Sequence, residues 1–592
     1  MLTAIHTKKV AQSWRHRTIC FAFALPSLMF AQPALADAAV GANALVPIAV
    51  PAIPQASVTG SFVNAIAAIR AGRWDAARAE IDAMRDPDLA AFARSELYLA
   101  ANSPRVDGQQ LLTLLNSTPD LPQAEQLARL ALSRGVTNLP DRPAEQRLAW
   151  AGASPRRGNP RSIEDSALGG LPRAIQERIV ADDPAGAEAL LTAATERLGS
   201  DALTEWRYRI AWSYYIENDD ANARRMAATA QAGTGAWLAQ ADWAAGLASW
   251  RMGDCEAAMS GFRNTAGRAS ESELEAAGHY WFARAATACG HPHEAQPAYR
   301  RAAALGETFY GQLAIETLGI RQTTVTVADS ADVQNVSSLR NVRAASALAR
   351  MGERTLADET LRYQARIGSP DNHGAMVAIA ADLNLPETQL YLAHNAPYGR
   401  RQTMLARFPA PQWTPTTGWR INPALVFAHT LQESQFRARV ISPAGAVGLM
   451  QVRPGTAGDM GLAVHGGRLT DPEINLALGQ SYIEYLRDAP VTGGLLPKVI
   501  AAYNAGPTPV TRWNSEIRDG GDPLLYIESI PYWETRAYVG TVLRNLWIYE
   551  RQIGAITETR SQLAQGQWPR VPDAPQNVRT LASLRGPDGT TQ

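Results

Sequence analysis

From Thr388 to Gly458 the chain carries seven arginines and a single acid, Glu433. The chain's average composition would place about seven acids in a stretch of that length. Leu425, Val426, Phe427, Ala428 and Leu431 precede Glu433 and Phe436 follows it, so the surrounding helix is apolar on several sides. A helix of that kind is usually buried. Burial disfavours the charged carboxylate and raises its pKa, and a position near a helix C-terminus pushes the same way. A carboxyl held neutral near neutral pH suits a general acid. The competing reading is a buried ion pair with one of the nearby arginines, which would lower the pKa instead. His429 lies four residues earlier on the same helix face. It is a candidate partner for Glu433, although a histidine so placed more often serves packing.

Two downstream segments add geometry. The run from Ser442 through Gly445 and Gly448 to Met450 and Gln451 combines glycines, which let backbone approach a ligand, with an amide that both donates and accepts. The run Ala501-Ala502-Tyr503-Asn504-Ala505-Gly506-Pro507 sets an aromatic hydroxyl and an amide before a Gly-Pro turn. Tyr, Asn and Gln can read the hydroxyls and acetamido groups of sugars. Taken singly, each run also reads as an ordinary structural turn.

These residues need elements to hold them. At 592 residues the chain should contain two or more domains. Its 56 basic residues balance 56 acidic ones, which argues against a nucleic-acid binder. The chain lacks H-E-x-x-H, a P-loop, G-x-S-x-G and G-x-G-x-x-G, and it shows no His/Cys ligand cluster, so neither metal nor cofactor is expected. Residues 1–36 read as a signal peptide. Lys8, Lys9, Arg15 and Arg17 precede an apolar run from Ile19 to Ala31, and Ala34-Leu35-Ala36 offers a cleavage site. That run is too short to span a bilayer, and no later segment is a membrane span. Export would place Cys255 and Cys289 in an oxidising compartment, where they could form a disulfide. Residues 37–60 read as a flexible lead-in.

Residues 61–395 read as a long helical array. Gly or Asn is followed five residues later by Ala at Gly72/Ala77, Asn218/Ala223, Gly253/Ala258, Gly290/Ala295 and Gly352/Ala357. Gly and Asn suit the left-handed residue that ends a helix, and Ala on the next helix allows close crossing. The middle three starts are about 35 residues apart, near a tetratricopeptide period, which suggests stacked helical hairpins. Longer connections are expected at 140–172 and 322–341. Residues 396–418, with Phe408-Pro409-Ala410-Pro411 and Pro415, read as a linker. Residues 419–555 read as a second helical unit, opened by Asn422 as N-cap and Pro423 at the first helical position. Residues 556–592 are expected to be disordered.

Four blocks in order, over about residues 419 to 550, resemble the soluble lytic murein transglycosylases. They are Glu433-Ser434-x-Phe436, the Ser442–Gln451 run, Ala502-Tyr503-Asn504-Ala505-Gly506-Pro507, and Ile530-Pro531-Tyr532-x-Glu534-Thr535-Arg536-x-Tyr538-Val539. The resemblance implies a mainly α protein, with a long α-superhelical solenoid followed by a lysozyme-like, α-rich catalytic domain. It implies a periplasmic carbon–oxygen lyase that cuts the β-1,4 bond between N-acetylmuramic acid and N-acetylglucosamine in peptidoglycan and leaves a 1,6-anhydro ring. Glu433 would act first as acid and then as base. Ser442 and Gln451 would hydrogen-bond near the reacting sugar and Met450 would line the groove. Tyr503, beside Asn504, would support the acetamido group or the Glu433 carboxyl, and Glu534 and Tyr538 would contact the groove or a peptide stem. The partner would be the glycan strand, with other cell-wall enzymes a further prospect for the helical array. Leu431, Arg437 and Arg453 depart from the family pattern, and at Arg453 the departure would change the subsite's shape or bind the carboxylates of muropeptides.

Two other functions fit the same residues. A lysozyme-type hydrolase would use Glu433 with water. A non-catalytic periplasmic scaffold would keep the array and a degenerate sugar-binding module, but it would have no need of a buried acid.

Overall fold

The computed structural model describes residues 60–322, 330–400, 402–460, 466–552, 555 and 557–574. The expected signal peptide and almost all of the lead-in lie outside the described residues. The protein is mainly α. Among the described residues the strands amount to one antiparallel pair, Ala149–Trp150 against Asn395–Ala396. No helix there is long and apolar enough to cross a membrane.

The repeat read from Gly/Asn and Ala has a direct structural counterpart. Gly72, Asn218, Gly253, Gly290 and Gly352 all have positive φ. Each ends one helix and turns the chain into the next, where the paired alanine is buried: Ala77, Ala223, Ala258, Ala295 and Ala357. The missing bulk lets neighbouring helices approach closely. Helices Leu238–Arg251 and Cys255–Arg268 follow one another in this way, and Ser272–Ala288 follows them through the extended backbone of Ala269. Trp243, Phe262 and Trp281 interlock between them. Cys255, the first residue of one helix, is bonded to Cys289, the C-cap of the next, with Cα atoms 5.6 Å apart.

The apolar interior has two parts. In one, helices within 60–131 pack against residues 333–406. Their seam is sealed by ion pairs: Arg340 and Arg343 reach Asp88 at 2.7 and 2.6 Å, and also bind Asp120 and Asp86. The array therefore bends back until its first helices touch elements some 250 residues later. In the other, residues 168–314 share a continuous core with residues 408–571. Buried polar groups tie that junction. Arg544 pairs with Glu273 at 3.2 Å, Tyr310 donates to Glu528 at 2.8 Å, and Arg157 donates to Glu528 at 2.9 Å. Arg157 and Pro155, whose carbonyl accepts from Arg544, lie on a non-helical strap inside the connection expected at 140–172. Of the connection expected at 322–341, residues 323–329 are outside the described set, and Ser330–Ser337 is helical.

Two segments differ from expectation. The stretch 396–418 does not run free as a linker: Phe408 and Trp413 are buried, Met404–Arg407 forms a 3₁₀ turn, and Tyr549 donates to the Pro409 carbonyl at 2.9 Å. Its prolines break helical periodicity without preventing the aromatic side chains from packing. Of the tail expected to be disordered, 556–592, residues 557–574 are ordered. Helix Glu558–Ala564 packs on Phe309–Thr317, Arg560 pairs with Glu316, and Arg570 and Asp573 bridge to Leu495 and Ile421. Leu563 and Val571 are buried, and two such anchors suffice where periodicity is too short to register. Residues 575–592 lie outside the described set.

Candidate active site

Glu433 stands in the last turn of the helix Pro423–Ser434. Asn422 caps that helix by accepting from Ala424 N at 2.9 Å, as its Asn-Pro opening predicts. Pro423 to Thr430 are all buried, so the helix has no solvent face to slide on. It stops because Gln435 and Phe436 both take positive φ, at 54° and 62°. Non-glycine residues there cost on the order of 1–3 kcal/mol each. Burial of Phe436 against Phe427 and Trp413 offsets that cost and fixes where the acid points.

The Glu433 carboxyl is enclosed by protein, while the side chain keeps an opening to solvent. Among the described residues no cation forms an ion pair with it, which removes the arginine-paired reading. Burial pushes its pKa up to about 7; a hydrogen bond from Tyr538 opposes the rise and the charge of Glu534 adds to it. Tyr538 Oη donates to Glu433 Oε1 at 2.6 Å. His429 Nδ1 lies 2.8 Å from the same Oη, and the imidazole is buried completely. Both Glu534 and Tyr538 come from the helix Trp533–Gln552, which packs along the Glu433 helix. The sequence around Glu433 is free of other acids, but the site is not. Glu534 approaches from a segment a hundred residues later, half-buried and with its own pKa raised by burial.

The Ser442–Gln451 run is a compact turn structure whose polar groups mostly hold one another. Ser442 is buried, and its Oγ accepts from Ala446 N at 3.0 Å, inside the turn and not toward a ligand. Met450 is fully buried against Gly479, where a Cβ would collide with its sulfur, so its side chain lies under the turn and does not line a groove. Its backbone is used at both ends: N donates to Asn475 Oδ1 at 2.8 Å, and the carbonyl accepts from Tyr503 Oη at 2.8 Å. Gly448 has φ +79°, and a Cβ there would run into the Asn475 amide. Gln451 is half-buried, with φ 50°, and its amide donates to the Gly448 carbonyl at 2.8 Å.

Tyr503 thus braces the turn and not the carboxyl, although its ring centre lies 4.5 Å from that of His429, the two planes tilted by 43°. Asn504 accepts from Thr535 Oγ1 at 2.6 Å, tying its turn to the Tyr538 helix. Arg437 is exposed and donates to the Ser434 carbonyl at 2.9 Å, while Arg453 is exposed just ahead of the helix Pro454–Asp459. Sequence reasoning missed Asn475, whose amide also donates to Val447 and Leu469 carbonyls at 2.9 and 2.8 Å. The available signal was an Asn among Ile474, Leu476, Ala477 and Leu478, since a buried amide must find partners.

The arrangement brings together one enclosed, protonatable carboxyl, a tyrosine that hydrogen-bonds it, and a second carboxyl nearby. That set can deliver a proton to a leaving oxygen and take one back.

Residues 414–523 match the transglycosylase SLT domain. The soluble lytic murein transglycosylase of Escherichia coli is 39% identical over 134 residues, 22% of this chain and 20% of that protein. The protein of the same name from Salmonella typhimurium is 34% identical over 161 residues, 26% of this chain and 24% of that protein. The chain thus matches only about a fifth to a quarter of the length of these relatives. The 70 kDa soluble lytic transglycosylase of Escherichia coli superposes with a TM-score of 0.51 at 17% identity, covering 87% of this chain and 99% of that one. At that identity the likeness establishes a shared fold: an α-superhelix followed by a lysozyme-like domain.

Proposed function

We propose that this chain, whose residues 414–523 carry a transglycosylase SLT domain on the soluble lytic transglycosylase fold, is an exported peptidoglycan lytic transglycosylase. It cleaves the β-1,4 bond between N-acetylmuramic acid and N-acetylglucosamine in the periplasm and leaves a 1,6-anhydromuramic end. The observation that carries this reading is the state of Glu433, a carboxyl enclosed by protein, without a cation beside it among the described residues, with its pKa pushed up to about 7. Such a group holds and releases a proton at the pH where it works, as a single acid/base must.

Glu433 gives its proton to the glycosidic oxygen as the C1–O bond breaks, and the leaving sugar departs with a free hydroxyl. The N-acetyl oxygen of the muramic acid stabilises positive charge at C1. Glu433, now a carboxylate, takes the proton of the C6 hydroxyl, whose oxygen closes on C1. No water is consumed. Tyr538 stabilises the intervening carboxylate through its 2.6 Å bond, so the acid is restored and not stranded. Gln451, Asn504, Tyr503 and Glu534 are the proposed substrate contacts. Ser442 and Met450 act by shaping the turn that presents Gln451.

Hydrolysis is the one alternative with an observation behind it, because Glu534 supplies a second carboxyl whose charge helps to raise the Glu433 pKa. The enclosed, unpaired acid speaks against a non-catalytic scaffold. Mass spectrometry of muropeptides released from purified sacculi tests the reading, with wild type and Glu433→Gln in parallel. Anhydro-muropeptides from wild type alone support it. Reducing ends indicate a hydrolase, and no release from either protein would overturn the enzymatic reading.

A further inference from the structure

We infer that His429 is a positioning residue which, acting through Tyr538, decides which oxygen of Glu433 carries the transferable proton. The inference rests on the reading of Glu433 as the acid.

His429 sits one helical turn before Glu433, completely buried, with its Nδ1 2.8 Å from Tyr538 Oη. That Oη is 2.6 Å from Glu433 Oε1. The other ring nitrogen, Nε2, is buried with no hydrogen-bond partner among the described residues. Tyr538 owns one hydroxyl hydrogen and has two neighbours, so only two arrangements make both bonds and also spend that buried hydrogen on a partner.

In the first, His429 Nδ1–H donates to Tyr538 Oη, and Tyr538 donates to Glu433 Oε1. A protonated Glu433 then holds its hydrogen on Oε2, the oxygen not engaged by Tyr538. In the second, every bond reverses. Glu433 Oε1–H donates to Tyr538, Tyr538 donates to Nδ1, and the imidazole hydrogen moves to Nε2. The acid proton is then committed to Tyr538 and is not available to a glycosidic oxygen.

The surroundings of Nε2 choose between them. The second arrangement buries an N–H donor with no acceptor, whereas the first leaves only a bare ring nitrogen there. Orphaned buried donors are the rarer and costlier case. The site is also set so that His429 stays neutral. The titratable groups around it are Glu433 on its own helix, Tyr538 and Glu534 from Trp533–Gln552, and Tyr503 from Leu496–Ala505, with the Tyr482 ring packed at a tilt behind Tyr503. Burial pushes the His429 pKa down to about 3. The imidazole is thus a fixed neutral donor, and Tyr538 is kept turned toward Glu433.

Two measurements test this. In protein labelled with ¹⁵N in its histidine rings, His429 is expected to show the Nδ1–H tautomer from about pH 5 to about pH 9. An Nε2–H signal overturns the proposal without reference to activity. Kinetics then separate positioning from packing. His429→Phe is expected to lower kcat about tenfold with KM nearly unchanged. In a Tyr538→Phe background the same substitution should cost nothing further, because the route from His429 to Glu433 is already cut. His429→Asn, whose amide can present an N–H where Nδ1 stands, should recover most of the loss. An equal loss in both backgrounds assigns His429 to packing and contradicts the proposal. Full turnover by Glu433→Gln instead overturns the acid reading beneath it.

Discussion

Tyr538 Oη lies 2.6 Å from Oε1 of Glu433, across 105 residues of chain. The bond joins two buried helices, so it is held by packing on both sides and does not depend on a mobile loop. Burial and this hydrogen bond act on the acid in opposite directions, and burial is the larger.

Removing the hydroxyl should therefore show which way the bond works. In Tyr538→Phe the carboxylate loses its donor, and the Glu433 pKa should climb by about one further unit. The alkaline limb of kcat/KM should move to higher pH, and kcat should fall roughly 10–100-fold. A pH–rate profile checks both.

The raised pKa also makes a stability statement. Glu433 titrates near 7 in the folded protein against an ordinary 4.5, so the unfolded chain gives up this proton first. The group's favourable contribution is complete below about pH 4.5 and is lost as pH rises toward about 7. The total is at most on the order of 3 kcal/mol. Glu433→Gln should flatten that slope, so that its stability relative to wild type improves between about pH 4 and about pH 8 in denaturant titrations.

How much of this could be read in advance depends on how local the cause is. Asn422, Pro423 and the apolar run to Phe436 describe a single buried helix, and a lone acid at its end is visible as soon as neighbouring acids are counted. The helix-ending Gly and Asn residues of the array are legible for the same reason, since each acts on its own turn. What lies across the fold is not legible. Glu534 and Tyr538 stand in one recognisable block, but periodicity does not say which of their side chains turns onto Glu433. Ser442 and Met450 have plausible residue types, yet their atoms are consumed inside the turn. The segment after Gly554 lacks a repeating apolar pattern and is held by single anchors such as Leu563 and Val571.

Arg544 and Glu273 form a buried pair between the Tyr538 helix and the array. Glu273 also accepts from Phe309 N at 3.1 Å. Arg544→Ala should destabilise the joint core by about 3–5 kcal/mol, because it strands a buried carboxylate. Adding Glu273→Gln should return part of that loss. Chemical denaturation followed by tryptophan fluorescence reads both.

The Cys255–Cys289 bond closes a loop of 34 residues between consecutive helices. Replacing both cysteines by serine should lower stability by about 3–4 kcal/mol on the chain-entropy account. Catalysis should persist at low temperature, since neither cysteine approaches Glu433. Thermal denaturation of oxidised, reduced and Cys255→Ser/Cys289→Ser protein provides the comparison.

The central claim is that one carboxyl both gives and takes the proton, with no water entering the product. Digestion of sacculi in H₂¹⁸O, followed by mass spectrometry of the released muropeptides, tests it most directly. The account predicts anhydro-muropeptides that carry no ¹⁸O, and their loss by a factor of about 10²–10⁴ in Glu433→Gln. Reducing-end products labelled with ¹⁸O at C1 would contradict it and make Glu433 and Glu534 the paired carboxyls of a hydrolase.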